Sequence, residues 1–139
     1  MIGEQPRTGT FWSQFEPTHL AAAELRRDLR RYLDAKGIEA ALADDMELVV
    51  AELISNAVEQ CPAEPVEVAL TLEQTCIRLT VTNHRPSGSL DDLLSDATEP
   101  TPLADRGRGL AIVHALVDGM WLHGDEESTS VSCLRKRDC

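Results

Sequence analysis

The chain has 139 residues, 42% of them hydrophobic and 27% charged, an ordinary globular composition that argues against disorder. A formal net charge of -11 at pH 7 argues against nonspecific binding to nucleic acid, which needs a concentrated basic face. No apolar run approaches the roughly 20 residues that cross a bilayer, and the opening MIGEQPRTGT places no cationic region before an apolar one, so a cytoplasmic protein with no membrane and no direct nucleic-acid partner is expected.

Residues 1–10 read as a flexible leader and 11–139 as a single domain. Phe11 and Phe15 share a face across Ser13, which predicts a short edge strand over 11–15. Pro17 and Thr18 then open a helix with Thr18 as N-cap; Leu25, Leu29, Tyr32 and Leu33 give it an apolar stripe, and Gly37 ends it. Arg26, Arg27, Arg30 and Arg31 fall on its other faces, as a solvated surface or as a docking patch for an acidic partner. A longer helix is predicted over 39–60, where Met46, Val49, Val50, Leu53, Ile54, Ala57 and Val58 keep a tight helical period.

Pro62 and Pro65 stop that helix, after which Val66, Val68, Leu70 and Leu72 alternate with smaller or polar residues as a strand. Glu73 and Gln74 make a turn, and Ile77, Leu79 and Val81 alternate with Arg78, Thr80 and Thr82 in a second strand, the two forming an antiparallel hairpin. Asn83 inherits the inward parity. From 84 to 109 the chain is rich in Pro, Gly, Ser, Thr and acids, and is read as a lid. A third helix is predicted over 108–118, burying Leu110, Val113, Leu116 and Val117, followed by strands over 120–123 and 129–134. The expected fold is α+β: a two-layer sandwich with helices on one face of a mixed, mostly antiparallel sheet.

Four cysteines, at 61, 76, 133 and 139, form no CxxC pair and meet no His at zinc spacing, so reduced thiols are expected, with Cys76 and Cys133 as small buried hydrophobes. Three other groupings can carry chemistry. In AELISNA, Glu52 and Asn56 are one helical turn apart at the margin of the apolar stripe, where a carboxylate and an amide oxygen could act as general base and Mg²⁺ ligand, or simply meet water. Asn83 stands at a strand end in the inward register, where its amide must be paired, either by a ligand or by a turn. In ADRGRGL, Gly107 and Gly109 permit close backbone approach to a ligand, the following helix offers unpaired N–H groups, and Arg106 and Arg108 add cationic donors for an anion. No Walker loop, Rossmann fingerprint or GxSxG elbow occurs. His114 and His123 lack partners at metal spacing.

In chain order these pieces resemble the GHKL ATP-binding superfamily, and within it the anti-sigma-factor serine kinases of the RsbW-like and SpoIIAB-like branch. DMELVVAELISNAVEQC looks like the branch's N box, IRLTVTNHRPSG sits where its G1 box belongs, and ADRGRGLAIVHALVDGMW resembles its G2 box, over about 15–134 in all. The resemblance implies a Bergerat, or histidine-kinase-type, ATP-binding fold with ATP and Mg²⁺ as cofactors. It implies Glu52 as the base that activates a partner's hydroxyl and Asn56 as the Mg²⁺ ligand. Asn83 would face adenine, and Arg106, Gly107, Arg108, Gly109 and Leu110 would form the phosphate turn. The substrate implied is a Ser or Thr of a STAS-domain anti-anti-sigma protein, the second partner a sigma factor, and the assembly a homodimer. The family usually carries Asp where Asn83 stands; a neutral acceptor there forfeits about a kilocalorie per mole or two. The departure leaves two readings: an ATP-dependent protein serine/threonine kinase that sequesters a sigma factor, or a noncatalytic anti-sigma or STAS-binding module with a weakened nucleotide site.

Overall fold

The computed structural model describes residues 8–60, 63–84, 108–124 and 127–137. Most of the expected lid and most of the expected leader lie outside the described residues. Strand β1 is Gly9–Phe15, so Gly9 and Thr10 lie in the sheet. It alternates as the aromatic spacing requires: Phe11 faces inward with its ring 5.6 Å from that of Tyr32, while Trp12 is 56% exposed on the outer face.

Helix α1, His19–Ala35, begins where the Thr18 hydroxyl accepts from the Ala21 amide at 3.1 Å, satisfying one of the free first-turn donors. Leu25, Leu29 and Leu33 bury its inner stripe. It stops at Gly37, whose φ of 74° turns the chain. There the Gly37 amide donates to the Asp34 carbonyl and the Ile38 amide to that of Leu33, a Schellman ending that also brings Ile38 and Leu33 into the core. Helix α2, Ala40–Gln60, returns antiparallel and buries Met46, Val49, Val50, Leu53, Ile54 and Ala57. Arg30 joins the two helices, bonding Asp34 on its own helix and Asp44 and Glu47 on α2, contacts that hold its guanidinium firmly protonated.

Strands β2, Val66–Leu72, and β3, Cys76–His84, form the expected hairpin. Helix α3 is Arg108–Leu116, and strands β4, Gly119–Gly124, and β5, Ser128–Lys136, close the chain. The sheet order is β1-β2-β3-β5-β4. Every pairing is antiparallel, so the sheet is not mixed: each neighbouring pair runs in opposite directions, including β1 with β2 and β3 with β5, which are joined through helices. The inward rows, Val66 to Leu72, Ile77 to Asn83, Met120 with Leu122, and Thr129 to Cys133, meet the helices in one core. The outer face carries polar cross-strand pairs, Thr80 with Ser132 at 3.0 Å and Thr82 with Ser130 at 2.7 Å. Cys76 and Cys133 are free and buried.

Candidate functional site

Two buried polar residues interrupt the apolar inward rows, and they stand opposite each other. Asn83 of β3 pairs in register with Thr129 of β5; they are 3% and 2% exposed and are the buried polar side chains among the described residues. The Asn83 amide nitrogen donates to the Ala57 carbonyl at 3.4 Å. Ala57 lies in the last turn of α2, so Asn83 ties the strand end to the helix end. That assignment turns the side-chain oxygen of Asn83 into the free acceptor. The Thr129 hydroxyl is buried with no hydrogen-bond partner among the described residues. An unpaired buried hydroxyl costs about 1–3 kcal/mol, a cost that a water or a ligand atom entering the pocket would offset.

Both residues line a pocket together with Asn56, Gln60 and Leu110, over an apolar base that includes Leu53, Val81 and Val131. The pocket's free volume is about 20 Å³, room for roughly one water molecule. A larger ligand would therefore rest on its open side and use Asn83 and Thr129 as a floor. The end of α2 supplies one wall and the start of α3 the other. Helix α3 runs antiparallel to α2: Leu110 meets the pocket beside Asn56, whereas Leu116 lies near Asp45, at the other end of α2. The first-turn amides of α3, positive by the helix dipole, thus lie at the pocket end of the sheet.

Residues 14–134 match the histidine kinase-like ATPase domain family. The chain belongs to that family. No curated protein matches the sequence. Among solved structures, the RsbU and RsbW domains of Rv1364c from Mycobacterium tuberculosis share 21% identity over 94% of this chain at a TM-score of 0.63. This chain spans 34% of that protein chain, about a third. The SiaB–SiaC complex from Pseudomonas aeruginosa contains a chain with 14% identity and a TM-score of 0.64, covering 89% of this chain and 88% of that one. At these identities the likeness is one of fold.

Within this ATPase-type domain the candidate residues separate into three groups. Asn56, Asn83 and Leu110 come together in the pocket. Glu52 is half-buried one turn before Asn56 on the same face of α2, but it does not line the pocket. Arg108 and Gly109 form the first turn of α3, described here by backbone alone, and Arg106 and Gly107 lie outside the described residues. Among the described residues no group of three His, Cys, Asp or Glu side chains could hold a metal, so a divalent ion at Asn56 would need oxygens from its ligand. Sequence reasoning missed Thr129. Its signal was available: Thr129, Val131 and Cys133 share one parity, the same logic that singled out Asn83.

Proposed function

We propose that this domain binds Mg-ATP on the pocket and transfers the γ-phosphoryl group to a Ser or Thr hydroxyl of a STAS-domain partner, and that it sequesters a sigma factor, as RsbW-like proteins do. The observation that carries the reading is the facing pair Asn83 and Thr129, whose amide oxygen and hydroxyl have no partner among the described residues and stand beside Asn56. Such a pair fits the edge of an adenine, whose amino group needs an acceptor and whose ring nitrogens need a donor. The residues present therefore suit the nucleotide that the family implies.

In this mechanism the Asn83 oxygen accepts from the exocyclic amino group and the Thr129 hydroxyl donates to a ring nitrogen. The free amides of α3 hold phosphate oxygens, helped by the positive end of the helix. The Asn56 oxygen would hold Mg²⁺, which when bound neutralises charge developing on the transferred group. Glu52, one turn away, receives the proton of the partner's hydroxyl. Phosphoryl transfer asks mainly for such positioning. Cytoplasmic action as a homodimer belongs to the same proposal; among the described residues no helix is long and apolar enough to cross a membrane.

Isothermal titration should detect Mg-ATP, and Asn56→Ala should abolish the signal. Glu52→Ala should still bind nucleotide yet lose phosphate transfer from labelled ATP to a STAS protein. No binding at millimolar ATP would overturn the reading. The second reading, a noncatalytic partner-binding module, is favoured by the position of Glu52 outside the pocket wall. Stable binding of the STAS protein with no phosphate incorporated would establish it.

A further inference from the structure

The inward row of β5 begins with Thr129 in the pocket, passes through Val131 and Cys133 in the core, and ends with Arg135 at the opposite edge of the layer. There one guanidinium nitrogen of Arg135 donates twice, to the Leu116 carbonyl at 2.7 Å and to Asp45 Oδ2 at 2.9 Å. Leu116 ends α3, so its carbonyl has no partner within the helix, and a cation there is favoured by the dipole as well. The side chains of Arg135 and Asp45 are 25% and 33% exposed, so water screens the pair only in part. A second pin lies beside the first: the Asp118 amide donates to the Leu134 carbonyl and Asp118 Oδ2 accepts from the Lys136 amide, each at 2.7 Å.

Helix α3 has nine residues, too few to be stable by itself in water. Its position is set by its packing along α2 and by what holds its ends. Asp45, Glu52 and Asn56 are separated by two and then one turn, so they follow one stripe of α2, the stripe along which α3 lies. The far-end anchor and the two candidate chemical groups are therefore fixed to the same rigid rod.

We propose that Arg135 is a positioning residue: its bridge from Leu116 to Asp45 sets the axial register of α3 against α2, and so where the α3 amides stand relative to Asn56. The functional half of this statement rests on the proposed nucleotide site; the clamp itself does not. A rigid nine-residue helix transmits a slip at Leu116 to its first residue, about 12 Å away at 1.5 Å per residue. The groups displaced are those that would meet phosphates, whereas Asn83 and Thr129 on the sheet stay in place.

The test compares wild type with Arg135→Gln and Arg135→Lys, using hydrogen exchange of the α3 amides and titration with ATP and with adenosine. Arg135→Gln should speed exchange in α3 while that of β2 and β3 is unchanged, and should weaken ATP binding about tenfold with adenosine affinity unaltered, as expected for loss of charge-assisted bonds. Arg135→Lys keeps two donors on one nitrogen and should restore both readouts to near wild type. Equal losses for ATP and adenosine would mean general destabilisation and would overturn the positioning role. Unchanged α3 exchange in Arg135→Gln would overturn the clamp even with ATP binding intact. Faster α3 exchange in a protein whose wild type binds no ATP would uphold the clamp and sink the phosphate role together with the proposed function.

Discussion

Thr129 and Asn83 are each buried in an inward row whose next members, Val131 and Val81, are apolar. Replacing Thr129 by Val keeps the shape and removes an unpaired hydroxyl. Thr129→Val should therefore raise stability by about 1 kcal/mol in denaturant titration while weakening ATP binding in calorimetry. A variant that loses stability without losing affinity would show the hydroxyl to be structural. Asn83 also accounts for the departure from the family's usual Asp: its amide donates to Ala57, which a carboxylate cannot do. Cys133 gives a pH dependence with a definite sign. Burial pushes its thiol from 9.0 up to about 12, so the folded chain keeps a proton that the unfolded chain releases. Stability must then fall as pH rises between those two values, and Cys133→Ala should flatten that alkaline slope in melts taken across it.

Among the elements, the long α2 and the hairpin β2–β3 were legible from periodicity alone, because each buries a single continuous stripe. The ends of elements were less so. Helix α3 stops at Leu116 and not at Asp118, since Asp118 bonds β5 instead of continuing the helix. Strand β5 extends to Lys136 because β3 offers partners as far as Cys76. The turn from α1 into α2 depends on backbone freedom at Gly37, held at a φ of 74°. Gly37→Ala should lower stability by about 1 kcal/mol in denaturant titration without altering nucleotide affinity, since the turn lies away from the pocket. Joint loss of stability and affinity would place that turn in communication with the site.

For the molecule as a whole, α2 is the part shared by every functional proposal. One flank supplies Asn56 to the pocket, its end receives Asn83, and its beginning anchors Arg135. A ligand seated across α2, α3 and the sheet should raise the stability of the entire domain. Mg-ATP at ten times its dissociation constant should add about 1.4 kcal/mol to unfolding, read as a higher Tm, and Asn56→Ala should erase the increment. An increment that survives Asn56→Ala would place the nucleotide elsewhere.

The amino-acid sequence by itself determined the helices, the hairpin, the inward parity of Asn83 and the three motif segments, because periodicity and local turn chemistry act over a few residues. Only the tertiary structure decided that Thr129 faces Asn83, that Glu52 stands outside the pocket wall, and that Arg135 reaches both Asp45 and Leu116. Those relations join residues distant along the chain, and strand register and helix packing, which place them, arise only when the whole core closes.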